Sequence, residues 1–584
     1  MSFFARVLER GAACSAGFAL AGLSCAVALL AVLTTSVWYD DEGYVMLTVK
    51  SWIEGHALYS EVYTQYGPFY YLYRSVVHEG LALPVSHDIN RVVAAVEWLM
   101  ACVFVALAVR RMTGSGVWAA VAGGLSFSVL EVVSKEAGHP QVLCAILSWV
   151  PLLVLAVPSA RLSAWRVAAA GIFAGFALMT KVNVGIFVIE AVGLACIAAW
   201  GGAGALRPVR HATFFVAALL PFLLVGPGIE HLPNLAFAGA AAGGVIALGI
   251  ATARSTPSSS KFPFQALVLC GGVVAAVALC IGVAETRGTA WQDVLYGVWT
   301  RPQEFAASVR DLVLRFPVYD IGAGVASPIL AMFLRRRPSG RAIAGCRIVF
   351  ALSVLVGVLG MLIWEWQEPL RNGMSLRGGV QWVTALAAPF AWLVVRSDKG
   401  SLCFGRCVLA ATATSQSLLC YPIYGSQVSI AAVPTLLAAV VCLSDGLRAF
   451  YPIAESVGTR RVAPVRWASA GLLAAVVVAV GLRANALSRV FESNVALDLP
   501  GATLLRFEEH KANEFRGIAK ELANNCDTFY SILGTNSLYF WSTLSPPTHW
   551  NATAWPNLLT TEEQEATVAA LEAHGRVGLV EDVR

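Results

Sequence analysis

Three consecutive carboxylates, Asp40, Asp41 and Glu42, follow directly after the first long apolar segment of the chain. Adjacent carboxylates repel one another, so the pKa of at least one of them rises unless a cation or a hydrogen-bond donor compensates. Such a carboxylate can take a proton from a hydroxyl group, or it can hold a hard cation through its oxygens. A solvated acidic loop that only helps to orient the chain is the alternative interpretation.

Aromatic residues set this triplet apart from an arbitrary acidic loop. Trp38, Tyr39 and Tyr44 flank it, and a second aromatic element covers residues 55–71 and includes Tyr59 and Tyr66. Trp and Tyr are also enriched where a membrane meets water. The combination of acidic and aromatic residues is nevertheless a stronger signal than either feature alone, and it favours a functional site over a solvated loop.

Ionisable residues in two later parts of the chain extend the candidate site. Glu136 and His139 lie in a short polar connection between apolar segments, and Lys181 lies between two apolar segments with no room for a long loop. An ionisable residue at membrane depth is costly and by default suggests function. An ordinary interfacial histidine and a lysine that snorkels from a helix end are the alternatives.

Composition identifies the environment in which these residues must be positioned. Of 584 residues, 57% are hydrophobic and 13% are charged, whereas a soluble domain carries about 25% charged residues. The net charge of +5 is modest and needs no nucleic acid to explain it. Most of the 13 cysteines lie in apolar segments, where cysteine behaves as a small hydrophobic residue rather than as part of a disulfide framework.

Apolar segments long enough for membrane helices recur along the chain, since a bilayer core of about 30 Å needs roughly 20 residues per helix. About fifteen such segments are predicted, near 12–38, 92–109, 115–133, 140–157, 167–180, 184–200, 212–228, 233–252, 264–284, 320–334, 346–363, 380–395, 405–421, 428–444 and 466–482. The first is too long for the apolar part of a signal peptide and is interpreted as an uncleaved anchor. The sequence therefore predicts an all-α polytopic membrane protein with about 11–15 transmembrane helices.

Basic residues predict the orientation of these helices. Arg6 and Arg10 precede the first segment, and every second connection is basic, as at 110–111, 335–337 and 460–461. Because positive residues favour the cytoplasmic side, the N-terminus is predicted in the cytoplasm and the C-terminus in the periplasm, with a bacterial inner membrane as the location.

The predicted domain division is a transmembrane domain over 1–483, with an outer loop over 39–90, and a small extracytoplasmic α/β or α-helical module over 484–584. Asn551 begins a glycosylation sequon in that module.

Several of these motifs resemble those of a known class of enzymes. The order Asp41-Glu42-Gly43-Tyr44 after the first helix, then Gly55-x-x-Leu58-Tyr59 and Gly67-Pro68-x-Tyr70, resembles the GT-C glycosyltransferases. This class includes protein O-mannosyltransferases and the lipid A aminoarabinose transferase, which use polyprenyl-phosphate sugars. The glycine-spaced segment that ends in Thr180-Lys181 and the segment from Tyr421 to Gln427 are also similar to elements of the class.

The resemblance implies a role for each candidate residue. Asp41 matches the class's general base, Asp40 is an adjacent rival, and Glu42 would orient the acceptor or a cation. Candidate groups for the donor phosphate are Lys181, Arg371 and Arg377, with Arg287 and Arg301 as weaker candidates. Candidate substrate contacts are Tyr44, Tyr59, Tyr66, Glu136, His139, Tyr421 and Gln427; many relatives carry an acidic residue near the place of Glu136 and His139. No cofactor is implied, and a divalent cation is not expected to be essential.

The sequence thus predicts a membrane glycosyltransferase that moves a sugar from a polyprenyl-phosphate donor to a lipid, glycan or protein acceptor. The expected reaction is a single inverting displacement on the extracytoplasmic face, among membrane lipids and without nucleic acid. A transporter or flippase of lipid-linked sugars is the alternative, with the acidic triplet as a proton or cation site. Transporters favour internal repeats and ionisable residues near the midplane, and Glu97 and Glu190 are the deep carboxylates of this sequence.

Overall fold

The computed structural model describes most of the chain, namely residues 3–35, 40–133, 136–156, 163–200, 207–253, 262–308, 320–336, 340–367, 382–395, 403–421, 427–450, 463–532, 534–552 and 558–581. The α-helices in these ranges are α1 (Phe3–Thr34), α2 (Asp41–Ile53), α3 (Pro68–Ser75), α4 (His87–Thr113), α5 (Gly116–Val133), α6 (Gln141–Leu155), α7 (Ala164–Leu178), α8 (Val182–Trp200), α9 (Arg207–Val225), α10 (Leu232–Thr252), α11 (Phe262–Thr286), α12 (Trp291–Leu295), α13 (Arg301–Ser308), α14 (Asp320–Arg336), α15 (Gly340–Gln367), α16 (Phe404–Gln416), α17 (Val428–Phe450), α18 (Ala463–Ser493), α19 (Glu509–Asn525), α20 (Ser537–Ser542) and α21 (Thr561–Glu572). Segments with π or 3-10 geometry are Val76–Gly80, Gly226–Glu230, Tyr296–Thr300, Trp382–Ala387, Ala388–Val394 and Ser417–Cys420. The strands are β1 (Val495–Ala496), β2 (Arg506–Phe507), β3 (Thr528–Ser531) and β4 (Val577–Val580).

The predicted all-α polytopic fold is confirmed. Within the described ranges, nine helices are long and apolar enough to cross a membrane, namely α1, α4, α8, α9, α10, α11, α15, α17 and α18. Four shorter apolar helical stretches, α5, α6, α7 and Trp382–Val394, accompany them. The apolar part of α17 is buried on all sides by protein, whereas α11 and α18 leave most of theirs exposed, as helices that face lipid do.

Small residues allow the membrane helices to pack closely. A Cβ atom added at Gly171 of α7 would lie 2.3 Å from the backbone oxygen of Leu269 in α11, and one added at Gly243 of α10 would lie 2.1 Å from that of Gly324 in α14. Such contacts are typical of helix association in lipid, where there is no hydrophobic driving force between helices. The glycine spacing of α7 therefore fixes the helix whose end carries Lys181.

The first connecting segment folds onto one end of the helix bundle. Its backbone at Gly67 and Phe69 donates hydrogen bonds to the carbonyls of Thr180 and Met179, at 2.9 and 3.0 Å. A side chain at Gly67 would collide with Met179, because an added Cβ would lie 2.1 Å from its oxygen. This contact brings the aromatic segment next to Lys181. We call the end of the bundle that carries residues 40–86 and 494–581 the loop face.

The C-terminal module is a small α/β unit. Helix α18 continues through residue 484 to Ser493, so the module's own elements begin with β1. Strands β1 and β2 pair antiparallel, and β3 and β4 pair in parallel with α20 and α21 between them. Its apolar core includes Leu505, Phe529 and Trp541, and it also takes in Leu47 of α2. The module is therefore packed against the first connecting segment.

Two stacked histidines form part of the contact between the module and that segment. The rings of His56 and His549 have centroids 3.9 Å apart. Nδ1 of His549 lies 2.9 Å from the hydroxyl of Ser51, and the backbone oxygen of His549 accepts a hydrogen bond from the N–H of Tyr63 at 3.2 Å. Nδ1 of His56 lies 3.4 Å from a carboxylate oxygen of Glu61. The contact thus holds two titratable rings at close range.

We expect this contact to weaken at mildly acidic pH. Burial lowers the pKa of His549, the charge of His56 lowers it further, and Glu54 and Glu61 act in the opposite direction. Because the folded-state pKa lies below the unfolded value of about 6.5, the full stabilisation is present above that pH and is lost as the pH falls through the folded-state pKa. Hydrogen exchange of peptides covering residues 50–66 and 545–552 should therefore rise between pH 7.5 and 5.5, after correction for intrinsic rates. His549→Gln should remove this pH dependence and His510→Gln, at an exposed histidine, should retain it; the opposite pattern would contradict the assignment.

Candidate active site

The first carboxylate of the triplet, Asp40, joins two helices. Its oxygens accept hydrogen bonds from the N–H of Gly43 at 2.9 Å, the N–H of Ser537 at 2.5 Å and the hydroxyl of Ser537 at 2.8 Å. Asp40 is therefore the N-cap of α2 and also binds the first residue of α20 in the module. Burial raises the pKa of Asp40 to about 6, and the three hydrogen bonds oppose that rise. Gly43 permits the close approach, because a Cβ there would lie 2.2 Å from the Ser537 nitrogen.

The third carboxylate, Glu42, is held in a buried ion pair. Arg91 of α4 donates to both Glu42 oxygens, with the shortest distance 2.7 Å, and the amide of Asn90 donates to one of them at 3.0 Å. The same guanidinium donates to the carbonyls of Val32 and Thr35 at the end of α1, at 2.6 and 2.8 Å. Burial alone would raise the pKa of Glu42, but the charge of Arg91 and these hydrogen bonds bring it below the usual value. We call this arrangement the Arg91 fork.

The second carboxylate, Asp41, lies in a cluster with Glu136 and His139. Each of the three residues has one atom that could bind a metal, and these three atoms lie within 4.8 Å of one another. Nε2 of His139 is 3.6 Å from a Glu136 oxygen and 2.7 Å from the hydroxyl of Tyr66, while Nδ1 accepts a hydrogen bond from the backbone of Gln141 at 3.3 Å. Because Nδ1 accepts a hydrogen bond, it carries no proton, and the proton of the neutral ring is on Nε2. Burial lowers the pKa of His139 to about 4, against the charge of Asp41, so the ring is neutral at pH 7.

Lys181 reaches the same cluster from the corner between α7 and α8. Its ammonium donates to the side-chain oxygen of Gln427 at 3.3 Å. Burial lowers the pKa of Lys181, whereas Cys144, Glu136 and Asp41 act to raise it. The lysine is thus close enough to Asp41 and Glu136 for their charges to act on it. Segments that are far apart in the sequence therefore meet at one place on the loop face.

Tyrosines form one wall beside Asp41. The hydroxyl of Tyr44 accepts a hydrogen bond from the backbone of Gln65 at 3.1 Å, and its ring lies 5.7 Å from that of Tyr63 and 6.4 Å from that of Tyr66. Burial raises the pKa of Tyr44 to about 12, and the charge of Asp41 adds to that rise. Burial also raises the pKa of Tyr66 well above its usual value. Both phenols are therefore hydrogen-bond donors at neutral pH.

Other predicted residues lie elsewhere or have other partners. The ring of Tyr59 packs directly against Gly297, where there is no room for a Cβ atom. The hydroxyl of Tyr59 donates to the carbonyl of Tyr66 at 2.8 Å. The hydroxyl of Tyr421 donates to the carbonyl of Val225 at 3.2 Å, and its ring stacks near Phe237. Arg371 and Arg377 lie outside the described residues.

The two weaker phosphate candidates are paired with carboxylates at the loop face. Arg287 donates to Glu79 at 2.7 Å and lies over the ring of Trp52. Arg301 donates to Glu563 of the module at 2.8 Å and lies 4.5 Å from the centroid of Tyr63. Arg301 is thus a second anchor of the module, a role that sequence alone does not indicate because its partner is 262 residues away.

The Asp41 cluster also offers a set of cation ligands. Two carboxylates and one imidazole suit a divalent cation such as Mn²⁺ or Zn²⁺. Ligation through Nε2 of His139 would require the ring proton to move to Nδ1, which now accepts from Gln141. The residue types therefore fit a cation, at the cost of that hydrogen bond and of the one to Tyr66.

Several solved structures are similar to this chain over most of its length. The oligosaccharyltransferase AglB from Archaeoglobus fulgidus, in complex with an inhibitory peptide and a dolichol-phosphate, aligns with 16% identity and a TM-score of 0.38 over 94% of this chain and 61% of its own. The same enzyme tethered to an acceptor peptide aligns with 13% identity and a TM-score of 0.40 over 95% of this chain and 68% of its own. ArnT from Cupriavidus metallidurans in the apo state aligns with 16% identity and a TM-score of 0.29 over 89% of this chain and 82% of its own.

The chain spans about three fifths of the length of the AglB structure with the bound peptide. No protein-family model and no curated protein sequence matches the chain.

The Arg91 fork generates a prediction about stability. Removing one partner of a buried ion pair leaves the other charge uncompensated and typically costs about 3–5 kcal/mol. Glu42→Ala should therefore lower the thermal stability of the detergent-solubilised protein markedly, as measured by tryptophan fluorescence on heating. Glu54→Ala is the matched control, because Glu54 forms a half-exposed ion pair with Lys50, and such surface pairs contribute about 0–1 kcal/mol. Equal losses from the two substitutions would contradict the role of the fork.

Proposed function

We propose that this protein is an integral membrane glycosyltransferase that transfers a sugar from a polyprenyl-phosphate donor to an acceptor hydroxyl at the loop face. The observation that carries the proposal is the meeting of Asp41, Glu136, His139 and Lys181 at one place beside the membrane helices. A carboxylate for the acceptor proton and a cation for the donor phosphate are the two groups that such a transfer needs. The acceptor is a lipid, a glycan or a protein.

Asp41 is the proposed general base. The neighbouring carboxylates have structural partners, since Asp40 caps α2 and binds Ser537, and Glu42 is held in the Arg91 fork. Asp41 instead lies in the cluster with Glu136 and His139. It would take the proton of the acceptor hydroxyl as the oxygen attacks the anomeric carbon, and the bond from that carbon to the lipid-phosphate oxygen would break. A single displacement of this kind inverts the anomeric configuration.

Lys181 and Gln427 are the proposed contacts of the donor phosphate. A lysine ammonium is a compact charge that binds phosphate well, and its burial here lowers the pKa. The single negative charge of the donor's phosphodiester would raise that pKa again and keep the ammonium charged as the leaving lipid phosphate gains its second negative charge. Tyr44 and Tyr66 supply phenol donors beside Asp41 for hydroxyl groups of a sugar. Arg371 and Arg377 remain candidates for the same phosphate.

The loop face is proposed to be extracytoplasmic. Helix α4 begins at the loop face and ends with Arg110 and Arg111, and α14 ends with Arg335 and Arg336. Basic residues at helix ends favour the cytoplasmic side, so the opposite end, with the Asp41 cluster, would face the periplasm of a bacterium. The C-terminal module would then lie outside the cytoplasm.

Two single substitutions test the base. The assay uses purified protein with a panel of labelled undecaprenyl-phosphate sugars and a membrane extract as the source of acceptor. Asp41→Asn should lower turnover about 10²–10⁴-fold, the usual contribution of a general base. Asp40→Asn is the matched control, since it makes the same charge change one residue away and should retain most of the turnover. Turnover unaffected by Asp41→Asn would remove the proposed base, and lipid translocation without glycosyl transfer would favour a flippase.

Chelation tests whether transfer needs a divalent cation. A cation held by Asp41, Glu136 and His139 would neutralise charge on a bound phosphate, but Lys181 already supplies positive charge there. We therefore expect turnover to continue after dialysis against EDTA. Loss of turnover in EDTA that Mn²⁺ restores in the wild type, and not in His139→Ala, would contradict this expectation and assign a cation to the cluster.

A further inference from the structure

A cleft in the C-terminal module is lined by aromatic, amide and hydroxyl side chains that have no role in the proposed transfer reaction. It lies between β3 and the segment that precedes α21, and its side chains include Tyr530, Asn536, Tyr539, Trp550, Asn551 and Thr567. We propose that this cleft binds a neutral sugar ring of the glycosylated substrate. The proposal deepens the proposed function, on which it rests, by naming the chemical class that the module recognises.

The composition of the cleft suits a sugar. The partly exposed Tyr530 and Trp550 offer aromatic surface, and the apolar C–H faces of a sugar ring can pack on such surface. Asn536, Asn551 and Thr567 offer amide and hydroxyl groups for the ring's hydroxyls. The described residues that line the cleft include no Asp, Glu, Lys, Arg or His. This lining favours a neutral ligand over a phosphate or a cation.

The polar groups of the cleft are fixed before any ligand arrives. The Asn536 amide nitrogen donates to the carbonyl of Gly534 at 3.0 Å, and that of Asn551 donates to the carbonyl of Thr548 at 2.9 Å. Each bond fixes which end of the amide is the oxygen. Asn536 is only 4% exposed, so its orientation is set by the fold. The Asn551 amide, which the sequence marks as a glycosylation acceptor, is thus engaged within the module.

The buried Tyr539 side chain is fixed in the wall of the cleft. Tyr539 stacks on Phe529 with centroids 4.0 Å apart, and its hydroxyl donates to the Phe529 carbonyl at 2.6 Å. The backbone N–H of Trp550 donates to the Thr548 hydroxyl at 3.2 Å. Preorganised groups lose little conformational entropy on binding, which suits recognition of a small ligand.

The size of the cleft limits how the ligand sits. Its cavity volume is about 20 Å³, which is room for a group about the size of one water molecule. The ring itself would therefore lie on the surface at the mouth of the cleft, with a single substituent inserted.

The cleft is joined to the active site by two short connections. Asn536 is followed by Ser537, which binds Asp40 next to the proposed base. Trp550 is preceded by His549, which contacts Ser51 and Tyr63 of the aromatic segment. A glycan with one ring in the cleft would therefore lie beside the tyrosine wall. The ring belongs to the acceptor or to the donor glycan, which share this chemistry.

Direct binding tests the proposal on the full-length protein in detergent micelles. Saturation-transfer NMR and titration are carried out with maltotriose, cellotriose and chitotriose as neutral probes. We expect at least one probe to bind, and Trp550→Ala and Asn551→Ala each to weaken binding about tenfold, the effect of losing one stacking or hydrogen-bonding contact. Trp467→Ala is the matched control, at a tryptophan that is 76% exposed on α18. Binding of none of the probes, or binding unchanged in both cleft variants, would overturn the proposal.

Two further measurements keep this test independent of folding and of the transfer reaction. Tyr530→Phe retains the ring and removes one hydroxyl, so it should weaken binding even if Trp550→Ala fails to fold. Binding should persist in Asp41→Asn, so probe binding without any glycosyl transfer would remove the proposed function and leave the cleft in place. In the transfer assay, a raised acceptor KM in Asn551→Ala assigns the ring to the acceptor, and a raised donor KM assigns it to the donor. Unchanged KM values for both would overturn the link to the substrate.

Discussion

The separation of three consecutive carboxylates is the constraint on which the loop face depends. Asp40 precedes α2 as its N-cap, and the next two residues, Asp41 and Glu42, point about 100° apart on the helix, so the three carboxylates face different surroundings. Asp40 turns to the module, Glu42 turns to Arg91, and Asp41 turns to Glu136 and His139. The repulsion expected between neighbouring carboxylates is thus relieved by a different partner for each of them. This division gives a structural role to two carboxylates and places the middle one in the cluster on which the proposed chemistry rests.

The Arg91 fork makes that separation possible because it joins three pieces of the chain. Arg91 is itself a residue in the first turns of α4. Its guanidinium donates to carbonyls at the end of α1 and to the carboxylate at the start of α2. Helix carbonyls at a C-terminus lack intrahelical partners, so the fork also satisfies groups that burial would otherwise leave unpaired. Together with the Asp40 contacts to Ser537, this buried side chain fixes the orientation of α2 and the direction of Asp41.

The residues of the candidate site can be predicted from the sequence, but the contacts among them cannot. The acidic triplet, Glu136, His139 and Lys181 are all identified from residue type and from their position between apolar segments. That Asp40 binds Ser537, 497 residues later, leaves no local signal. The same holds for Gly67, whose close contact with Met179 brings Tyr66 to the Lys181 corner. Long-range pairs of this kind need the packing of the whole bundle, which hydropathy alone does not specify.

The module is better described as a fixed wall of the site than as a lid. The hydroxyl of Ser537 donates to Asp40 and lies 2.8 Å from Nε2 of His87, so α20 is joined to both α2 and α4. Asp88 accepts hydrogen bonds from Thr503, and Arg301 binds Glu563 near the other end of the module. Three anchors that do not lie along one segment of the chain fix both position and orientation. A rigid module presents one preorganised surface and keeps that surface at a constant distance from Asp41.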